Sequence, residues 1–181
     1  MIEIRIHGRG GQGAVIASKL LAFASFKEGK YVQAFPTYGV ERRGAPVAAF
    51  VRIDEKPVLI RSQIYEPDHI IVLDPTLIES VDVTKGLKNG GWILINTVRD
   101  PSEFNHLKGF KIATVDASGI AVKYQLGSKS HPIVNTGILG AFAHLGFLSL
   151  NSIVEAIKEN VPLMAENNAK AAKEAYEKVK F

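Results

Sequence analysis

Apolar and polar residues alternate along Met1-Ile2-Glu3-Ile4-Arg5-Ile6, the two-residue period of a half-buried strand, and the alternation stops at a run of glycines. The pattern predicts a strand over residues 2–7. From Gln12 to about Glu28 the period changes: Val15, Ile16, Leu20, Leu21, Phe23 and Ala24 recur at helical intervals, and Gly29 supplies a stop. Tyr31 to Phe35 then begins a second strand. A strand-helix-strand unit this short favours a parallel pair joined by a right-handed crossover.

The following stretch departs from a plain alternation of strand and helix. Pro46 to Ile53 and Val58 to Ile60 read as strands around the charged turn Asp54-Glu55-Lys56-Pro57, which predicts a hairpin. A buried strand at His69 to Leu73, a helical region around Pro75 to Lys88 and a strand at Trp92 to Asn96 resume the alternation. Lys111 to Val115 reads as a further strand, followed by a helix from about Ser118 to Leu126. Three helical segments finish the order: Asn135 to Leu145, Ser152 to Glu159, and one from Pro162 or just after it to about Lys178, rich in Ala, Glu and Lys. The expected fold is a three-layer, Rossmann-like α/β domain over residues 1–181, with a mixed, mostly parallel sheet and a β-hairpin insertion.

Composition narrows the function classes. With 181 residues, 46% apolar and 22% charged, the chain suits one packed domain rather than a disordered or membrane protein. The formal charge of +4 and pI near 9.2 suit an anionic ligand or acidic partner, yet the basic residues are dispersed and form no nucleic-acid arm. No export signal precedes the first strand, so the cytoplasm is the expected location. The apolar stretch Ile133 to Leu150 holds Asn135, three glycines and His144, which fits a buried helix rather than a membrane span. There is no cysteine, hence no disulfide, no thiolate nucleophile and no ordinary ligand set for an iron–sulfur cluster, which would have to sit on another chain.

Gly8-Arg9-Gly10-Gly11-Gln12-Gly13 fits G-x-G-x-x-G in the required place, directly after a strand and opening a helix. Glycine permits positive φ and close backbone approach, and free N–H groups at the helix start favour negative charge, with Arg9 able to add a contact. The alternative is that these glycines only let helix and sheet pack closely. A dinucleotide site would place Asp or Glu about 20 residues further on, at the end of the second strand. That region reads Tyr31-Val32-Gln33-Ala34-Phe35-Pro36, without a carboxylate, which argues against NAD and leaves other phosphorylated ligands open.

Between the second and third strands, Pro36 to Pro46 concentrates Tyr38, Glu41, Arg42 and Arg43 among turn residues. The guanidinium forks can clamp phosphate or carboxylate, with Glu41 holding one of them, or the loop can be a solvated ion-pair segment. His7 either orients a phosphate or hydrogen-bonds its neighbours; Asp74 either meets a ligand or caps the segment beginning at Pro75. His144 reads as a packed residue. Ser128-Lys129-Ser130-His131, His106 and His144 form no recognisable nucleophile-base set or metal spacing, so no catalytic or metal-binding residue is assigned.

His7 to Ala14, Gln33-Ala34-Phe35-Pro36, Tyr38 to Pro46 and Asn135 to Ala143 together resemble the gamma subunit of 2-oxoacid:ferredoxin oxidoreductases, over essentially the whole chain. The Glu41-Arg42-Arg43-Gly44-Ala45-Pro46 wording is closer to the pyruvate and 2-oxoisovalerate branch than to the 2-oxoglutarate branch. The resemblance implies a complex that oxidatively decarboxylates a 2-oxoacid with coenzyme A, giving acyl-CoA, carbon dioxide and reduced ferredoxin. Thiamine diphosphate, Mg2+ and [4Fe-4S] clusters would lie on the alpha, beta and delta partners, separate or fused. This chain would serve CoA-side binding and assembly. Gly8, Arg9, Gly10, Gly11, Gln12, Gly13, Arg42 and Arg43 are then the expected CoA-binding set, with Tyr38 and Glu41 shaping the mouth or a subunit contact. A stand-alone NAD(P)-binding dehydrogenase and a purely structural subunit remain the alternatives.

Overall fold

The structure is a computed structural model that describes residues 1–37 and 42–181. Six strands form one sheet: β1 (Ile2–Arg9), β2 (Tyr31–Pro36), β3 (Pro46–Asp54), β4 (His69–Val72), β5 (Trp92–Asn96) and β6 (Lys111–Val115), in the order β2-β3-β1-β4-β5-β6. β3 runs antiparallel to both its neighbours, while β1, β4, β5 and β6 follow one another in parallel. The sheet is therefore mixed and mostly parallel, as expected.

Two expectations for the first half change. β1 and β2 point the same way but do not pair, because β3 lies between them, matched to β1 from Ile2 opposite Ile53 to Arg9 opposite Pro46 and to β2 over six residues. The hairpin is thus β2–β3, joined through residues 37–45, and Val58 to Ile60 is not a strand. The reason is geometric: both edges of β3 are already occupied, so no ladder remains for a third neighbour. Leu59 is left 85% exposed.

The layers follow from the pleat. On one face Ile4, Ile6, Val51, Ile71 and Leu94 meet α1 (Ala14–Lys27), α3 (Ala117–Lys123), α4 (Asn135–His144), α5 (Leu150–Asn160) and α6 (Ala165–Lys178) in the larger core. On the other, Ile70, Val72, Ile93 and Ile95 are covered by α2 (Leu77–Ser80), Val83, Leu87 and Phe104. The helix expected around Pro75 to Lys88 shrinks to α2, because Asp82 Oδ1 accepts from the Thr84 backbone and hydroxyl and turns the chain there. Phe104 ends a short 3-10 turn at Pro101–Phe104 that the hydrophobic pattern did not announce.

Covering a sheet with irregular chain leaves carbonyls that no helix satisfies, and two buried guanidiniums on this face supply donors. Arg52, 1% exposed, binds Glu3 Oε1 at 2.8 Å and Gln33 Oε1 at 2.9 Å and reaches the Ile60 and Gln63 carbonyls at 3.4 and 3.3 Å. Arg5 donates to the Val83 and Lys85 carbonyls and, through Nε, to His7 Nε2 at 3.0 Å. At the far edge of the sheet, Lys180 and Thr114 exchange backbone hydrogen bonds of 2.8 and 2.9 Å, blunting the open edge of β6. No helix of the described residues is long and apolar enough to cross a membrane.

Candidate functional site: the glycine turn and its cleft

The chain leaves β1 for α1 on one face of the sheet and leaves β4 for α2 on the other. Such a reversal opens a crevice at the carboxyl ends of the strands, where open α/β sheets take ligands. Here the crevice holds about 460 Å³, within the range of small-molecule sites. Arg9, Gly10, Gly11, Gln12 and Arg43 form one wall, Asp74 and Asn96 the strand ends, and Ser118 with Ser130 to Val134 the opposite wall.

The glycine turn is built by packing as much as by conformation. Gly10 donates to the Ala45 carbonyl at 2.9 Å and accepts from Gly44 at 3.0 Å, tying β1 to the start of β3; a β-carbon there would strike the Arg42 carbonyl. Gly13 precedes α1 at φ +84, and a β-carbon would strike the side-chain amide of Asn135 at the start of α4. Among the described residues the Gly11 and Gly13 N–H groups make no hydrogen bond, and the first turn of α1 adds donors without intrahelical partners. These N–H groups, rather than side chains, are the donors the turn offers to an anion.

Asp74 organises the side chains around them. Its Oδ2 accepts from Arg9 Nε at 3.1 Å and Gln12 Nε2 at 3.0 Å; its Oδ1 accepts from the Thr76 backbone at 3.0 Å and hydroxyl at 2.6 Å. Partial burial would raise this carboxyl, but the Thr76 and Gln12 hydrogen bonds and the Arg9 charge outweigh it and hold it below the usual carboxylate range. Arg9 also reaches the Gly44 carbonyl and the Thr76 hydroxyl, and Gln12 Oε1 accepts from the Arg9 backbone at 2.7 Å. Arg9 and Gln12 thus brace the turn. Of the two readings of Asp74, the structure gives it both a place in the cleft and a turn-forming bond to Thr76.

The residues read from the sequence converge only in part. Arg9, Gly10, Gly11, Gln12 and Arg43 line the cleft; Gly8 packs on Leu73 and Ala14 beneath it, and Gly13 abuts Asn135. The Arg42 side chain is exposed and does not line the cleft, although its backbone carbonyl supports Gly10 and accepts from Ala45 at 3.0 Å. Tyr38 and Glu41 lie outside the described residues. His7 is turned away: burial, then the Arg5 charge, push its imidazole down to about 4, so it is neutral and accepts from Arg5.

The opposite wall holds residues without a sequence-assigned site role, including Ser130 and His131, which form no catalytic or metal-binding set. Asn96 donates to the Leu73 carbonyl at 2.9 Å and Ser118 Oγ at 3.0 Å and accepts from the Ser118 backbone, locking the ends of β4 and β5 to α3. Ser130 Oγ lies 3.0 Å from His131 Nδ1 on a tight turn over the cleft. The one sequence signal was position: Asn96 ends a strand and Ser118 opens a helix. A dinucleotide arrangement fails on topology as well as composition, since the end of β2 is two strands from β1, about 9–10 Å away.

Residues 3–178 match the family model described as pyruvate ferredoxin/flavodoxin oxidoreductase. The chain belongs to this family. It is a gamma-type subunit of a pyruvate/2-oxoacid ferredoxin oxidoreductase. It is 58% identical to the pyruvate/ketoisovalerate oxidoreductases common subunit gamma of Thermococcus kodakarensis, covering 98% of this chain and 97% of that one. It superposes with a TM-score of 0.83 on the crystal structure of a pyruvate oxidoreductase subunit from Thermotoga maritima, at 40% identity over 99% of this chain and 97% of the other. The 2-oxoglutarate:ferredoxin oxidoreductase of Magnetococcus marinus, solved with 2-oxoglutarate, coenzyme A and succinyl-CoA bound, shares the fold at 20% identity and a TM-score of 0.74. That likeness spans 97% of this chain and 31% of the longer one. The resemblance first carried by the glycine turn and the Arg42-Arg43 segment therefore extends over the whole fold.

Proposed function

We propose that the glycine cleft receives the phosphorylated end of coenzyme A, within a complex that oxidatively decarboxylates a 2-oxoacid to acyl-CoA and carbon dioxide and reduces ferredoxin. The observation that carries this reading is the unbonded Gly11 N–H lining, together with Arg43, a crevice at the sheet's switch point, in a turn whose Gly13 N–H is also unbonded. Coenzyme A carries a pyrophosphate and a 3′-phosphate, which suit such donors, and requires no ribose carboxylate on a neighbouring strand. Arg43 provides a fork on the rim, and Asp74 acts as a positioning residue by fixing Arg9 and Gln12 behind the turn.

The chemistry of decarboxylation and electron transfer falls, on this reading, to alpha, beta and delta subunits carrying thiamine diphosphate, Mg2+ and [4Fe-4S] clusters. This chain has no cysteine to ligate a cluster, and its described residues contain no group of three acidic or histidine side chains suited to a metal. Its own contribution is binding, orientation and assembly. Steady-state kinetics of the assembled complex test it. Arg43→Ala should raise the KM for CoA about tenfold, the loss of one charge-assisted hydrogen bond of roughly 1.4 kcal/mol, with the KM for the 2-oxoacid unchanged. An unchanged KM for CoA, or hydride transfer from NADH by the isolated chain, would overturn the reading.

A further inference from the structure

Helix α1 carries apolar side chains on every side, the pattern of a helix surrounded by protein. Ala17, Leu20, Leu21 and Ala24 are buried in the core. The opposite stripe, Ile16, Lys19, Phe23 and Phe26, stands in the open, with Phe26 67% exposed. Its spacing of three, four and three residues is that by which one helix seats against another.

Alongside it the turn between α5 and α6 presents Leu163, 77% exposed, and Met164. Ile16, Phe23, Ile133 and Leu163 line a groove of about 450 Å³ between this turn and α1. Asn135 also lines the groove; it is 4% exposed, and its Oδ1 is a buried acceptor with no hydrogen-bond partner among the described residues. Apolar walls of this kind call for an apolar partner.

Charge decides which partner. Lys27 is held by Glu155 and Glu159, whereas Lys19, in the middle of the stripe, has no ion pair among the described residues. A second copy related by a two-fold axis across the stripe would set Lys19 against the apolar residues of the same stripe, which contains no acid to pair with it. We propose that this groove seats an amphipathic helix of a different subunit of the oxidoreductase, with apolar side chains against Ile16, Phe23 and Leu163 and a carboxylate facing Lys19. The surface lies beside the glycine cleft, joined to it by Ile133, which lines both. The docked helix therefore closes one flank of the cleft, and the proposal stands whether or not the cleft holds coenzyme A.

The test uses the assembled complex with a benzoylphenylalanine photocrosslinker in place of Phe23. The expected product joins position 23 to a helix of another subunit, with Asp or Glu within one turn of the attachment. Crosslinking to a second copy of this chain, to a non-helical segment, or to no protein would overturn the proposal. In parallel, Lys19→Glu should leave the melting of the isolated chain unchanged and weaken its association with its partners at least tenfold. Changing the partner's carboxylate to Lys should restore that association. Unchanged association of Lys19→Glu, or no restoration by the reciprocal change, would count against it.

Discussion

Gly11 and Gly13 have similar backbone angles in the same turn but different surroundings, and the comparison separates conformation from packing. At φ +96 and +84 each would impose on alanine a strain of about 1–2 kcal/mol. A β-carbon at Gly11 would meet nothing within 4 Å, so Gly11→Ala should lose only that strain, a fall in Tm of about 2–8 °C for a chain of this size. Gly13→Ala adds an overlap with the Asn135 side chain and should lose at least about 1–3 kcal/mol more. Urea unfolding of the two variants measures the difference. Placing Asn135→Ala behind Gly13→Ala should recover most of the extra loss, a coupling of about 1–3 kcal/mol in a double-mutant cycle. Equal stabilities for the two glycine variants, or no coupling with Asn135, would refute the claim that the α1 and α4 helix starts are packed directly on each other. Gly11→Ala, the milder variant for folding, should be the harsher one for an anion approaching the open side of the turn.

Other consequences are equally concrete. His7, held down to about 4 by burial and Arg5, stays neutral when its unfolded counterpart protonates near 6.5. Its contribution to stability is therefore complete above pH 6.5 and is lost as pH falls toward 4, by up to about 3 kcal/mol. His69, also lowered to about 4 chiefly by burial, acts in the same window. Denaturant unfolding from pH 7 to 4 should show this slope, and His7→Gln should flatten it; an unaltered slope would place the titration elsewhere. Arg52→Leu should destabilise the fold by about 3–5 kcal/mol, because it strands Glu3 and releases the Ile60 and Gln63 carbonyls. A loss under 1 kcal/mol in the same assay would show that the 55–66 segment is held by other contacts.

What the sequence made legible depended on how local the determining interactions are. Trp92–Asn96 and Lys111–Val115 are strands with the expected bounds, because parallel strands buried on both faces read as short apolar runs between glycines and charges. The final helix keeps its expected end at Lys178, yet starts at Ala165, after Pro162 and the left-handed Met164. Strand order was not legible: β3 takes the place beside β1 that the local β1–α1–β2 unit would assign to β2, and no hydrophobic period records such a neighbour. Val58 to Ile60 has strand composition, but both edges of β3, its expected partner, are already taken. In the site, the glycine turn announced itself because its constraint is carried by consecutive residues. Asp74, Asn96, Ser118 and His131 converge on it from positions about 60 to 120 residues away, and each has an ordinary local reason to be where it is. Arg9 showed the opposite case: its charge suggested an added contact to an anion, whereas folding gives it a partner in Asp74.

Calorimetric titration of the assembled complex with CoA, beside the same complex carrying Gly11→Ala, tests the central claim most directly. The account predicts one CoA for each gamma-type chain, at least tenfold weaker binding in the variant, and no comparable heat from NADH. Equal CoA affinity in the two complexes, or tighter binding of NADH than of CoA, would contradict it.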